Sequence, residues 1–190
     1  PELRKEADAK ELERIKDQFS TMGRERFEKY QRGNSLQQQS TPFELVLEML
    51  ERLGSLKGKD ILVVANIDMF FHLKELKKHT FVDYNSIKLL TDVELLKGKD
   101  NVEVVDFDKI PYININMKFD IILANPPYNE DISQNRNRKG NHHLPSKQLH
   151  REFFKHSLKI LKEDGEMCYI MPTAKWWNVL KKGKVKKEYI

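Results

Sequence analysis

The residues of this chain best suited to chemistry are four consecutive ones, Asn125-Pro126-Pro127-Tyr128. They follow a short apolar run, Phe119–Ala124. Such a run, stopped by an amide, two prolines and an aromatic ring, predicts a buried strand that presents polar and aromatic groups at its carboxyl end. Ligands of open parallel sheets bind at that end of the strands. The stretch therefore predicts a ligand site.

Two acidic residues stand at the ends of other predicted strands. Asp83 ends the short segment Thr80–Asp83, and Asp106 ends the segment Val102–Asp106. In a parallel sheet these ends lie at one edge, because all strands point the same way. An acid after the second strand is a common way to hold the ribose hydroxyls of an adenosine-containing cofactor. Each aspartate alone is weak support, since acids often cap helices, but together they indicate a nucleoside cofactor.

Apolar runs alternate with segments of helical spacing along the chain. The predicted strands are Ile61–Ala65, Thr80–Asp83, Val102–Asp106, Phe119–Ala124 and Met167–Met171. Five helices are predicted. The first covers residues 2–31, the second runs from Thr41-Pro42 to a stop at Gly54, and the fourth covers Ile87–Leu96. The third contains Phe70, Leu73 and Leu76, and the fifth contains Leu149, Phe153, Leu158 and Leu161. This order predicts an α/β fold with a mostly parallel sheet and helices on both faces.

The chain divides into two predicted parts. Residues 1–40 form a charged N-terminal helix and a flexible linker, and residues 41–190 form the main domain. The helix carries an apolar stripe, which favours docking on the main domain over docking on a partner helix. Thr41 is predicted to cap the second helix through its hydroxyl, with Pro42 in the first turn. The stripe consists of Leu12, Ile15, Phe19 and Met22.

The composition suits one globular domain. Of the 190 residues, 39% are hydrophobic and 33% are charged. Neither a membrane span nor a secretory signal is visible, so a cytoplasmic location is the expectation. The single cysteine, Cys168, lies in an apolar run and is interpreted as a small buried hydrophobe. No carboxylate or thiol stands at ligand spacing from His142-His143, so no metal site is predicted.

The net charge of +5 favours contact with phosphates. The better placed of two basic clusters lies in the polar loop after the Asn-Pro-Pro-Tyr stretch, where it predicts a nucleic-acid contact. Its residues are Arg136, Arg138 and Lys139, and Lys147 at the end of the same loop is a further predicted contact. The lysines between residues 175 and 187 fit a solvated end equally well.

From Thr41 to about Trp177, the order of these features resembles the catalytic domain of adenine-specific DNA methyltransferases, in the subclass whose cofactor motifs precede the catalytic motif. The resemblance implies a Rossmann-like domain, S-adenosylmethionine as cofactor, and DNA as substrate, as in restriction-modification systems. The implied catalytic residues are Asn125, Pro126, Pro127 and Tyr128. The implied cofactor contacts are Thr41, Pro42, Ala65, Asn66, Phe71, Asp83, Tyr84, Asp106 and Phe107.

The resemblance also implies a mechanism. The 6-amino group of adenine is a poor nucleophile, because its lone pair is delocalised into the ring. The Asn125 side-chain oxygen and the Pro126 carbonyl would accept its hydrogens and favour a tetrahedral nitrogen. Tyr128 would stack on a base flipped out of the duplex.

One element departs from the family pattern. The expected glycine-rich turn after the first strand is replaced by Asn66-Ile67-Asp68-Met69-Phe70-Phe71. Asn66 is expected to supply a left-handed conformation, while Ile67 and Met69 are expected to narrow the cofactor pocket. A second hypothesis is therefore a methyltransferase-like module with weak or lost cofactor binding, which binds nucleic acid or a partner. A third keeps the chemistry and changes the acceptor to RNA or a protein glutamine.

The sequence ends soon after the fifth predicted strand. Family members continue with an antiparallel pair and a target-recognition region, so a fragment of a longer protein is the expectation. The fifth strand would then lie at an open edge, to be covered by a partner or by a missing C-terminal region.

Overall fold

The computed structural model describes residues 2–31, 41–105, 117–126 and 149–170. Four helices and five strands lie in these ranges, together with a short 3₁₀ helix at Glu94–Leu96. The helices are α1 (Glu2–Gln31), α2 (Phe43–Arg52), α3 (Ile67–Lys78) and α4 (Leu149–Ile160). The strands are β1 (Asp60–Val64), β2 (Ser86–Thr91), β3 (Val102–Val104), β4 (Phe119–Ala124) and β5 (Leu161–Tyr169).

The strands form one parallel sheet in the order β3-β2-β1-β4-β5. The central strand β1 pairs with β2 on one side and with β4 on the other, so that Val64 lies opposite both Leu90 and Ala124. The carboxyl ends of β1, β2 and β4 therefore meet at one edge. The predicted α/β fold with a mostly parallel sheet is confirmed.

Alternate residues of β1 face two different cores. Ile61 and Val63 pack with residues of α2 and α3, while Leu62 and Val64 pack with Phe153 of α4. A strand buried on both faces has a continuous apolar sequence, which is why β1 and β4 were recognisable. The predicted helices on both faces are thus confirmed.

Helix α1 docks on the main body of the chain. Phe19 is buried in a cluster with Phe43 of α2 and Leu76 of α3, and Leu12 and Met22 pack against that cluster. The predicted docking of the stripe within the chain is confirmed for these residues, whereas the surroundings of the Ile15 side chain lie outside the described part. Within the described ranges, no helix has both the length and the apolar character needed to span a membrane.

The prediction for the second strand is wrong. The segment Thr80–Asp83 is not a strand, and β2 instead occupies Ser86–Thr91, which overlaps the region predicted as the helix Ile87–Leu96. Both faces of β2 are buried: Ile87 and Leu89 pack on one side of the sheet and Leu90 on the other. Apolar residues on both faces produced a spacing that imitates a helix.

Thr80 and Phe81 form the end of α3. Thr80 has a left-handed backbone with φ 63. Its N–H donates to the carbonyl of Lys77 at 3.0 Å, and the Phe81 N–H donates to that of Leu76 at 3.0 Å. This pair of bonds is the Schellman arrangement that closes helices, and Phe81 packs in the cluster that contains Leu76. The apolar residues after α3 therefore stabilise a helix end.

The last strand begins earlier than predicted. The helix before it ends at Ile160, and β5 covers Leu161–Tyr169, whereas the predicted strand was Met167–Met171. The register between β4 and β5 shifts after Phe119, and Gly165 lies in this irregular stretch. A Cβ on Gly165 would lie 2.9 Å from the backbone oxygen of Asp120, so this position requires glycine. In the described sheet, β5 is a terminal strand, and what covers its outer side stays a prediction.

Candidate active site

Polar residues from three separate segments meet at the carboxyl edge of the sheet. Asn66 follows β1, Asn125 follows β4, and Thr41 precedes α2. All three are buried, with exposed fractions of 2%, 6% and 1%. Buried polar groups of this kind must form hydrogen bonds, because an unpaired amide in the interior is costly.

The Thr41 hydroxyl joins the two asparagines. Asn66 Nδ2 donates to Thr41 Oγ1 at 2.6 Å, and Asn125 Nδ2 donates to the same oxygen at 3.0 Å. The predicted hydroxyl cap of α2 is wrong, because Pro42 holds the N-cap position and no side-chain hydrogen bond caps this helix. Proline can lead a helix without such a bond, which leaves the Thr41 hydroxyl to the site.

The turn between β1 and α3 is tight although it contains no glycine. Ala65 adopts the left-handed conformation, with φ 59. Asn66 is extended, with φ −138, and its side-chain oxygen accepts from the Met69 N–H at 2.8 Å. The expectation that Asn66 would be left-handed is therefore wrong. Ala65 takes the conformation usually given to glycine, and Asn66 serves as the N-cap of α3.

The apolar residues of this turn belong to the core. Ile67 and Met69 are fully buried in the cluster that α2 and α3 form against the sheet. The expectation that they narrow a pocket at the sheet edge is wrong, because their side chains are used in packing. Asp68, in the first turn of α3, is also buried, and a carboxylate near a helix N-terminus is electrostatically favoured.

Asp83 and Tyr84 lie at the opposite, amino edge of the sheet. The N–H of the next residue, Asn85, donates to the carbonyl of Lys59 at 2.9 Å, directly before β1 begins. Lys77, in the last turn of α3, donates to the Tyr84 carbonyl and lies 3.4 Å from Asp83 Oδ1. The expected placement of these two residues beside the other cofactor residues is therefore wrong, and it follows from the misplaced second strand.

Tyr84 is held at that amino edge by contacts with α3. Its hydroxyl donates to the carbonyl of Leu73 at 3.4 Å, and burial raises the pKa of the Tyr84 hydroxyl to about 12. The ammonium of Lys77 lies 4.4 Å from the ring centroid. These contacts hold the segment before β2 against the end of α3.

Asp92 is the acid that follows the observed second strand, and it is not among the residues predicted from the sequence. It is half-buried at the carboxyl edge, directly after Thr91. The Thr91 hydroxyl accepts from the Val93 N–H at 3.2 Å and turns the chain at this point. The signal for Asp92 was present in the sequence, since an acid follows the mostly apolar segment 87–91, but it depended on assigning that segment to a strand.

The amino edge carries a separate network of charges. Lys162 of β5 donates to Asp120 Oδ2 at 2.9 Å and lies 3.5 Å from Asp60 Oδ2. The N–H of Asp60 donates to Asp120 Oδ2 at 2.8 Å, and this bond, with that from Lys162, lowers the pKa of the Asp120 carboxyl. Hydrogen bonds from Ser86 and Asn85 lower the pKa of the Asp60 carboxyl. The network ties neighbouring strands together and lies away from the site.

Some of the other predicted site residues lie in the described ranges and others lie outside them. Pro42 begins α2 beside Thr41, and Pro126 is buried directly after Asn125. Phe71 is partly buried and packs against the core of the α2 and α3 face. Eight predicted residues lie outside the described ranges: Asp106, Phe107, Pro127, Tyr128, Arg136, Arg138, Lys139 and Lys147.

Residues 34–190 match the Eco57I restriction-modification methylase family. The chain belongs to this family. The match covers most of the chain, including every described strand and all of the polar residues joined at the carboxyl edge. The comparison with curated proteins found no match.

Membership of this family makes the chain a methyltransferase of the restriction-modification class. It confirms the predicted family assignment, and the parallel sheet agrees with a Rossmann-like methyltransferase fold. The hydrogen-bonding groups at the carboxyl edge of this methylase are suited to orienting a planar amine and a cofactor.

Proposed function

We propose that this methylase transfers a methyl group from S-adenosylmethionine to the exocyclic amine of a flipped adenine in DNA, in the cytoplasm. The observation that carries the proposal is the position of Asn125 and Pro126 directly after β4, with the Asn125 amide bonded to Thr41. A restriction-modification family supports DNA as the substrate.

The carboxyl edge has groups that suit the cofactor. Ala65 gives the β1–α3 turn the conformation that glycines supply elsewhere, and Ile67 and Met69 pack away into the core. Asp92 replaces Asp83 as the acid proposed to hold the ribose hydroxyls, because Asp92 follows the true second strand. When bound, S-adenosylmethionine supplies an electrophilic methyl group on a sulfonium.

Further cofactor contacts are proposed at both sides of this turn. These contacts are proposed for the backbone of Thr41 and Pro42 at the start of α2, and for Phe71 on α3. Asp106 and Phe107, which follow β3 in the chain, are proposed for the adenine ring of the cofactor. The N–H of Val105 donates to the carbonyl of Thr91 at 2.8 Å, so the chain after β3 starts beside the end of β2.

The residues after β4 are proposed to activate the target amine. The side-chain oxygen of Asn125 and the carbonyl of Pro126 accept its two hydrogens, which localises the nitrogen lone pair. Proline fixes the direction of that carbonyl, because its ring restrains the backbone. No strong base is needed, since the amine becomes acidic as it gains positive charge. Tyr128 stacks on the flipped base, and Arg136, Arg138, Lys139 and Lys147 contact phosphates.

One observation favours a second function. The β1–α3 turn has alanine where glycine is expected, and the Asn66 side-chain oxygen already accepts the hydrogen bond of the Met69 N–H at the start of α3. A module with weakened cofactor binding, which binds nucleic acid or a partner protein, fits this turn as well.

The test is label transfer from methyl-labelled S-adenosylmethionine to DNA of diverse sequence, with RNA and total protein as parallel acceptors. We expect label in DNA adenine, and a loss of about 100-fold or more in kcat for Asn125→Ala. Asn85→Ala is the matched control, because Asn85 lies at the amino edge, where it bonds Asp60. Label in RNA or in glutamine would replace the proposed acceptor. Equal rates for Asn125→Ala and the wild type would refute the catalytic role of Asn125.

Calorimetric titration with S-adenosylmethionine separates the two functions. Saturable binding supports the methyltransferase and counts against the binding module. Absence of binding, with intact folding shown by a cooperative unfolding transition, would refute the proposed use of this cofactor.

A further inference from the structure

One hydroxyl lies between the proposed catalytic amide and the β1–α3 turn. Thr41 Oγ1 accepts from Asn66 Nδ2 at 2.6 Å and from Asn125 Nδ2 at 3.0 Å. The three residues come from segments that are 25 and 84 positions apart in the chain. A buried junction of this kind connects elements that no local sequence pattern relates.

The direction of the first bond follows from a neighbouring one. The Met69 N–H can only donate, and it donates to Asn66 Oδ1 at 2.8 Å. The Asn66 amide is therefore oriented with its nitrogen toward Thr41. The Thr41 oxygen must act as an acceptor for Asn66, so the hydroxyl hydrogen points away from that amide.

The second bond sets the orientation of Asn125. A threonine hydroxyl has two acceptor positions, and the two asparagine nitrogens use both. With Nδ2 directed at Thr41, the Asn125 oxygen lies on the side of Cγ away from the hydroxyl. An amide rotated by half a turn would present a donor to an incoming amine, whose own hydrogens need acceptors.

We propose that Thr41 is a positioning residue, whose hydroxyl holds the Asn125 amide with its nitrogen inward and its oxygen toward the target amine, and links that orientation to the β1–α3 turn through Asn66. The role of the oxygen toward an amine rests on the proposed function. The orientation of the amide itself does not, because it rests on the hydrogen bond from Asn125 Nδ2 to Thr41 Oγ1.

Four variants distinguish this positioning role from a purely structural one. Thr41→Val keeps the shape and removes the hydroxyl, while Thr41→Ser keeps the hydroxyl. Asn66→Ser keeps a good N-cap for α3 but removes the amide that joins the turn to Thr41. Thr41→Ala serves as a second hydroxyl-free variant should the valine variant not fold.

The first readout is the side-chain NH₂ signal of Asn125 in a ¹⁵N–¹H spectrum, assigned by its disappearance in Asn125→Ala. We expect this signal to shift, and its hydrogen exchange to accelerate about tenfold, in Thr41→Val. It should stay near the wild-type position in Thr41→Ser and shift in Asn66→Ser, because loss of the Asn66 amide frees the Thr41 hydroxyl to reorient. The exposed Asn101 supplies the reference signal. An Asn125 signal that is unchanged in Thr41→Val and Thr41→Ala would overturn the proposal.

The second readout is whether the substitutions change kcat, the KM for DNA or the Kd for S-adenosylmethionine. Loss of one hydrogen bond to a buried amide should lower kcat of Thr41→Val by about tenfold to 100-fold, with Thr41→Ser within about threefold of the wild type. The KM for DNA and the Kd for S-adenosylmethionine should change less than about threefold. A kcat loss matched by an equal loss of cofactor affinity, with Asn125 signals unchanged, would make the Thr41 hydroxyl a cofactor contact and overturn the proposal. If the wild type transfers no methyl group, the proposed function fails, while the spectrum still decides the role of Thr41.

Discussion

Ala65 should carry measurable backbone strain, which Ala65→Gly would release. A residue with a Cβ is destabilised by about 1–2 kcal/mol in the left-handed region, and Ala65 has φ 59. The substitution also removes a buried methyl group, which costs about 0.8 kcal/mol. It also raises the conformational entropy of the unfolded chain, which lowers the stability of the fold by about 0.5–1 kcal/mol. The three effects nearly cancel, so the stability of Ala65→Gly should lie within about 0.5 kcal/mol of the wild type.

Ala124 is the matched control for this prediction. It ends β4 beside the end of β1, is as deeply buried as Ala65, and packs in the same cluster. Its backbone is extended, so Ala124→Gly loses the methyl group and gains flexibility without any release of strain. We expect a cost of about 1.5 kcal/mol for this variant.

Urea denaturation of the two variants and the wild type, followed by circular dichroism, gives the comparison. The expected difference between the variants is about 1.5 kcal/mol in favour of Ala65→Gly. Equal losses of stability for Ala65→Gly and Ala124→Gly would refute the reasoning, because they would show that the left-handed alanine costs no more than an extended one. Unequal slopes of the denaturation curves would require the same comparison by calorimetry.

Three further predictions concern the acids of the two sheet edges and the turn in β5. Asp92→Ala should weaken binding of S-adenosylmethionine about tenfold or more in calorimetric titration, while Asp83→Ala, at the amino edge, should leave it unchanged. Weaker binding by Asp83→Ala alone would instead make Asp83 the acid that holds the ribose. Asp120→Asn should cost about 1 kcal/mol at pH 7, since the lowered pKa of the Asp120 carboxyl stabilises the fold above the unfolded pKa of about 4. That difference should narrow as the pH falls below the unfolded pKa and through the lower folded pKa, so a gap that stays constant in thermal melts from pH 7 to about pH 2 would contradict the assignment. Gly165→Ala should cost about 1–3 kcal/mol in urea denaturation, because its Cβ would meet the Asp120 backbone oxygen at 2.9 Å; Gly98→Ala, which has open space but a positive φ, separates contact from backbone strain.

Strands with continuous apolar sequences were predictable from the sequence. Ile61 to Val64 and Ile121 to Ala124 are buried on both faces, and a short apolar run between turn residues identifies such strands. The docking of Phe19 was also predictable, since the apolar stripe of α1 needs a surface to cover it.

The second strand was not predictable from spacing alone. Ile87, Leu90, Val93 and Leu96 repeat every three residues, which matches a helix as well as a strand that is followed by a 3₁₀ turn. The error then moved the ribose acid from Asp92 to Asp83. A local mistake in one element thus displaced a functional residue to the opposite edge of the sheet.

The candidate site was predictable in its members and not in its connections. Thr41, Asn66 and Asn125 were each named from the resemblance, but their shared hydrogen bond depends on how distant segments pack. The left-handed Ala65 had no sequence signal, because alanine seldom adopts that conformation.

The placement of the charge network has a consequence for engineering this methylase. Asp120 and Asn125 stand at opposite ends of β4, about 16 Å apart along the strand. At that separation the interaction between two charges is about a quarter of its value at 4 Å. Substitutions around Lys162, Asp60 and Asp120 can therefore adjust heat and acid tolerance with a comparatively small change of the field at the proposed methylation site. A designer can thus vary the stability of the fold largely separately from its catalytic chemistry.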